Sequence, residues 1–125
     1  MGKVEVPVMD LLDVIEMCLC LPSAEETTPF GPEVLVYKVG GKMFAATVPE
    51  EHPPRINLKC DPERSLELRD EHPGVLPGWH MNKRHWNTVM LDEVPTVLVK
   101  ELVKHSYYLV VASLPKRLRA ELTSK

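Results

Sequence analysis

Val34-Leu-Val-Tyr-Lys-Val-Gly-Gly-Lys-Met-Phe-Ala-Ala-Thr-Val48 is the stretch that decides the fold class. Two runs rich in β-branched and aromatic residues, Val34–Val39 and Lys42–Val48, flank Gly40-Gly41. A two-residue hairpin turn of type I′ needs positive φ at both central positions, which glycine supplies without a steric penalty. The segment therefore predicts an antiparallel hairpin. Downstream, Pro49–Pro54 reads as a connection, and Arg55-Ile-Asn-Leu-Lys-Cys60 alternates. Ile56, Leu58 and Cys60 share one face and Arg55, Asn57 and Lys59 the other, the pattern of a half-buried strand.

Helices follow from the punctuation on either side. Asp61-Pro62 is an N-cap followed by proline at the first helical position, so a short helix should run from Pro62 to about Glu71 on Leu66, Leu68 and the stem of Arg69. Upstream, Pro7–Leu21 predicts a helix facing the core with Val8, Leu11, Leu12, Ile15 and Leu19. Ser23–Pro32 and the segment from His72-Pro-Gly74 to Pro77-Gly78 read as loops. A strand is expected over His85–Leu91, then a long helix from Pro95 to Ala112 lined by Leu98, Leu102, His105, Leu109 and Ala112. Leu114-Pro115 breaks it before a terminal helix, Lys116–Leu122. The order α-β-β-β-α-β-α-α predicts an α+β domain, an antiparallel sheet with helices packed on one face. At 125 residues the chain is one domain, 1–125.

Composition narrows the function classes. Fifteen basic and 18 acidic side chains leave a formal charge of −3, which excludes coating of nucleic acid by bulk charge. The charge is uneven: residues 1–33 hold seven acids and one base, and residues 94–125 hold six bases and two acids. Three cysteines, Cys18, Cys20 and Cys60, make no disulfide framework, and no apolar run is long enough to span a bilayer. Without a signal peptide at the start, the expectation is a cytoplasmic protein with no membrane role.

The densest chemistry lies in Gly78-Trp-His-Met-Asn-Lys-Arg-His-Trp-Asn-Thr88, which holds both tryptophans and no carboxylate. Lys83 and Arg84 can engage phosphates, Asn82 and His80 can make polar contacts, and a tryptophan can stack on a base or fill a core. His85 and Trp86 belong to the same element, and Arg55, Asn57 and Lys59 would extend a basic face from the neighbouring strand. Other chemistries are poorly supplied. His72, His80 and His85 with Cys60 or Asp61 match no zinc spacing. Cys18 and Cys20 diverge by about 200° on a helix and read as core fillers. No G-x-S-x-G, P-loop or dinucleotide glycine pattern occurs, so no enzyme, cofactor or resident metal is expected. Asp10, Asp13 and Glu16 are a conceivable cation ridge, although such a run is usually a solvated helix face.

These residues resemble a known family. Phe30-Gly-Pro32, the hairpin Val34–Phe44, Ile56-Asn-Leu-Lys-Cys-Asp-Pro-Glu-Arg64, His72-Pro-Gly74, Met81-Asn-Lys-Arg-His-Trp-Asn-Thr-Val89, His105-Ser-Tyr107 and the Leu114-Pro115 break are similar, in order, to the bacterial MmcQ/YjbR-like family. Asn82, Lys83, His85 and Trp86 fill its Asn-Lys-x-His-Trp element, with Arg84 in the variable slot. The chain departs where Asp92-Glu-Val-Pro95 replaces a glycine after the aspartate. The resemblance implies a frataxin-like (CyaY-like) topology. It also implies the DNA-binding label that the family carries by analogy to a phage "double wing" domain, and folds of one shape host unrelated functions. The resulting expectation is a monomer that binds double-stranded DNA weakly, non-specifically and in a salt-sensitive way. Its rivals are a protein-interaction or small-ligand module using the same face, and an acidic-ridge metal binder.

Overall fold

In the computed structural model, which describes residues 8–79 and 81–123, the hairpin read from the sequence forms the second and third strands of a six-stranded antiparallel sheet. The elements run α1 (Leu11–Cys20), β1 (Glu25–Thr27), β2 (Leu35–Val39), β3 (Lys42–Thr47), β4 (Arg55–Lys59), α2 (Pro62–Glu71), β5 (Val75–Pro77), β6 (Trp86–Met90), α3 (Thr96–Ser113) and α4 (Lys116–Thr123). The sheet order is β1-β2-β3-β4-β6-β5. Gly40 and Gly41 take φ of +58° and +81°, as the two-residue turn demands.

Register sorts the side chains. Ile56 lies opposite Val89 and Leu58 opposite Asn87 on the helix-covered face, while Arg55, Asn57 and Lys59 lie opposite Met90, Thr88 and Trp86 on the other. A bulge at Tyr37/Lys38 leaves Phe44 as the extra residue on β3, so Phe44 and Ala45 both join the core. Phe44 meets Tyr107 of α3 edge to face, with ring centroids 5.4 Å apart. The core unites Val14 and Cys18 of α1, Leu68 of α2 and Val99, Leu102, Val103, Tyr107 and Val110 of α3 with Tyr37, Val39, Ile56, Leu58, Val75 and Val89 of the sheet.

Both long helices are rotated relative to the sequence reading. In α1 the buried positions are Val14 and Cys18, and Leu11 and Ile15 pack against the core as expected, but Leu12 is 75% exposed, with Val8 and Leu19 also outside. The helix has apolar residues nearly all round, and its rotation is set by docking rather than by its own pattern. Asp10, whose carboxylate accepts the Asp13 N–H at 2.9 Å, is the N-cap, and Pro7 lies outside the described residues. Cys20 is exposed rather than a core filler.

In α3 the buried stripe is Val99, Leu102, Val103, Ser106, Tyr107 and Val110; Leu102 is buried as expected and Leu98 packs against the core, but Leu109 is half-buried and Ala112 exposed. Its centre is a serine. The Ser106 hydroxyl accepts the Lys59 N–H at 2.8 Å and donates to the Phe44 carbonyl, and so joins α3 to two strands. A polar residue is tolerated in a core when both of its bonds are made.

The two segments read as loops each contain a three-residue edge strand, β1 and β5. In α2, capped by Asp61 as expected, Leu68 and Ser65 are buried and Leu66 is exposed. Among the described residues no helix is long and apolar enough to cross a membrane.

Candidate nucleic-acid interface

The connection from β5 to β6 folds back tightly because its own backbone and α2 hold it. Gly78 donates its N–H to the Trp86 carbonyl at 2.8 Å, and a Cβ there would lie 2.7 Å from the Trp86 Cβ, so only glycine allows this approach. The Asn82 carbonyl accepts from His85 and Trp86 at 3.1 and 2.9 Å, and its side-chain oxygen accepts the Arg84 N–H at 3.0 Å. These bonds form an Asx-type turn.

Arg69, in the last turn of α2, clamps the base of this turn. Its Nε donates to Asn87 Oδ1 at 2.8 Å, and its Nη2 donates to the carbonyls of Trp86, at 3.1 Å, and Lys83. Asn87 in turn donates to the Ser65 hydroxyl at 3.3 Å. The turn thereby presents Lys83 and Arg84 to solvent, and neither side chain has a hydrogen bond or ion pair among the described residues.

On the helix-free face a second network fixes the start of the same connection. Thr88 Oγ1 donates to Asn57 Oδ1 at 2.6 Å, Asn57 Nδ2 donates to the Trp79 carbonyl at 3.4 Å, and the Trp79 N–H donates to Thr88 Oγ1 at 2.9 Å. The closed ring holds Trp79, 54% exposed, beside Arg55. The Arg55 guanidinium carbon sits 4.5 Å from the Trp79 ring centroid, and its Nη2 forms an ion pair with Glu51.

The nine residues selected from the sequence thus divide by use. Lys83 and Arg84 are solvent-facing cations, and Lys59 is half-buried on the open sheet face. Asn57 has both atoms of its amide engaged within the fold, whereas Arg55 is engaged there through Nη2 and Asn82 through Oδ1. Trp86 is buried and is a packing residue. The half-buried His85 accepts the Cys60 N–H through its carbonyl at 2.8 Å, and His80 lies outside the described residues.

Glu51, Arg69 and Thr88 were not singled out as site residues. The one available signal for Arg69 was a basic residue in the last turn of a helix whose apolar stripe is weak.

Burial pushes the Cys18 thiol up to about 12 and also raises that of Cys60, which keeps both protonated. His105 accepts the Asp61 N–H on Nε2 at 3.2 Å, and burial, with the nearby Arg64 cation, lowers its pKa. Among the described residues no three His, Cys, Asp or Glu side chains gather as a metal group, and Asp10 of the acidic ridge is a helix cap.

Fold and site together define a small α+β domain, a helix-backed antiparallel sheet whose last hairpin presents a fixed basic turn. The YjbR family model matches residues 19–109, and the chain belongs to that family. It is 43% identical over 102 residues to YbdF of Escherichia coli O157:H7, covering 81% of this chain and 84% of that one. It is 34% identical over 112 residues to YjbR of E. coli K12, covering 89% and 95%. Among solved structures, Deinococcus radiodurans DR2400, described by its DUF419 domain, superposes with a TM-score of 0.86 at 42% identity, covering 96% of this chain and 92% of that one. A Pseudomonas syringae protein gives 0.70 at 25%, covering 81% and 98%.

Proposed function

We propose that this protein binds double-stranded DNA through its phosphodiester backbone, weakly and with little sequence preference, as a cytoplasmic, non-catalytic monomer. One observation carries the reading: the Arg69–Asn82 framework holds Lys83 and Arg84 outward with no carboxylate partner among the described residues. Phosphate contacts position a protein on DNA without reading sequence, and of the side chains that could read base edges here, Asn57 has its amide engaged internally and Asn82 commits its oxygen to the Arg84 N–H. The raised thiol of Cys60 argues against that cysteine as a nucleophile.

Two phosphate contacts give a log–log salt slope of about −1.8, so affinity should fall roughly tenfold between 50 and 200 mM salt. The test is a titration of ¹⁵N-labelled protein with a short mixed-sequence duplex at low salt. Shifts should centre on residues 81–86 and Lys59 and reverse on adding salt. Lys83→Glu with Arg84→Glu should abolish binding at an unchanged melting temperature. Unchanged affinity in that double variant overturns the proposal, and so does displacement of these shifts to another face.

A further inference from the structure

On the helix-free face, at the start of the β5–β6 connection, a cavity of about 270 Å³ opens between the β3–β4 connection and Trp79. Val34, Ala46 and Val48 supply apolar wall, and Arg55 is the one cation that lines it. The Arg55 side chain is only 16% exposed, so its guanidinium needs a counter-charge, and the fold supplies Glu51. That partner is loosely held. Glu51 is 46% exposed, engages Nη2 alone, and can rotate into water, where its charge is fully solvated. Nε and Nη1 of Arg55 donate to no protein acceptor among the described residues.

The guanidinium has a second support besides Glu51. It stacks at 4.5 Å on Trp79, whose backbone is held by the Asn57–Thr88 ring. A planar donor fork fixed in this way, with two of its nitrogens unengaged, suits the two oxygens of a carboxylate. A dianionic phosphate would find a single cation here, whereas a monocarboxylate is matched in charge. The cavity lies just below the roughly 300–1,000 Å³ typical of drug-sized ligands, so the acid is small.

We propose that this cavity binds a small monocarboxylic acid, with its carboxylate on Arg55 in place of Glu51 and its aliphatic or aromatic body against Val34, Ala46 and Val48. Glu51 is then an internal competitor, the stand-in that keeps Arg55 neutralised when no ligand is present.

The experiment uses benzoate and hexanoate as probes, benzyl alcohol and hexanol as neutral controls, and amide shifts with Trp79 indole fluorescence as readouts. Both acids should shift residues 46–57 and Trp79, and neither alcohol should. Removing the competitor in Glu51→Gln should tighten binding roughly 2–5-fold, the worth of an exposed ion pair. Arg55→Met should abolish it. If that variant does not fold, Arg55→Lys, which keeps the charge but loses the fork, should weaken it at least severalfold.

The inference is overturned if wild type and Glu51→Gln both fail to respond up to roughly 10 mM, a generous limit for so small a ligand. Equal responses to acids and alcohols, or weaker binding in Glu51→Gln, would also overturn it. DNA affinity in Glu51→Gln is a separate readout and should stay within the wild-type range.

Discussion

Removing the Arg69 guanidinium should undo the β5–β6 turn from behind without touching the cations that the turn displays. Arg69 donates to Asn87 Oδ1, to the Trp86 carbonyl and to the Lys83 carbonyl. Asn87 is buried, and in Arg69→Ala its side-chain oxygen loses its donor where water does not reach. Hydrogen bonds from a charged donor contribute about 1.5–3 kcal/mol each when buried, and a stranded buried acceptor costs about 1–3 kcal/mol. The bond to Lys83 lies near solvent and counts for little, so the expected loss is about 2–4 kcal/mol. With a urea m-value of about 1.5 kcal/mol/M for a domain of this size, the unfolding midpoint should fall by about 1.3–2.7 M. A domain of ordinary stability, about 5–15 kcal/mol, would remain mostly folded. Arg69→Lys should recover less than half, because a single ammonium cannot span the acceptors that the fork reaches. In a double-mutant cycle with Asn87→Ala the two losses should fall short of additivity by about 1–3 kcal/mol. A loss below about 0.5 kcal/mol in Arg69→Ala, or additive losses in the cycle, would refute the view that this clamp holds the turn.

Four further outcomes follow from contacts elsewhere. Ser106→Ala strands the Lys59 N–H and one acceptor contact of Phe44, and should lower stability by about 1–3 kcal/mol in thermal unfolding; a neutral result removes its bridging role. Gly78→Ala drives a Cβ into Trp86, including its carbonyl oxygen at 2.8 Å, and should lower stability by about 1–3 kcal/mol with a shifted tryptophan emission; an unchanged melting temperature contradicts the close approach. His105, with a pKa lowered by burial and by Arg64, is held neutral in the native state while the unfolded chain titrates near 6.5. Its contribution is therefore complete above pH 6.5 and is lost as pH falls through the lower native value, so His105→Gln should flatten the stability profile in that window, and parallel profiles would refute it. Native protein should alkylate at Cys20 alone, and at all three thiols after unfolding; early modification of Cys18 or Cys60 would contradict their burial.

What the sequence made legible was what local chemistry determines. The Gly40-Gly41 turn and the Asp61-Pro62 helix start are punctuated by residues whose backbone preferences admit few alternatives, and both stand where they were read. The edge strands β1 and β5 could not be read in the same way. Glu-Glu-Thr has no apolar alternation, and Val-Leu-Pro ends in a residue that cannot donate to a ladder. Short, charged or proline-ended edges are also what limits pairing with other chains, so their poor legibility has a physical origin. Helix rotation was hidden for another reason. In α3, Val97, Leu98, Val99, Leu102 and Val103 offer more than one apolar stripe, and the stripe that docks is the one that brings Ser106 to the Lys59 N–H and the Phe44 carbonyl.

The same distinction explains why the site was only half legible. A sequence displays charge but not its employment. Arg55 and Asn57 read as a basic, polar extension of the surface, yet Arg55 is paired with Glu51 and stacked on Trp79, and Asn57 closes a ring with Thr88. Arg64 is likewise paired, with Glu101, and Arg69 is bound to backbone carbonyls. Charges committed in this way release no counterions when a phosphate approaches, so they add nothing to the salt slope. Of the cations assigned to this site, Lys83, Arg84 and, from the sheet, Lys59 remain to contribute. A measured slope steeper than about −2.7, the value for three contacts, would mean that one of the internal pairs opens on binding. The Arg55–Glu51 pair, half exposed on its acid side, would be the first to examine.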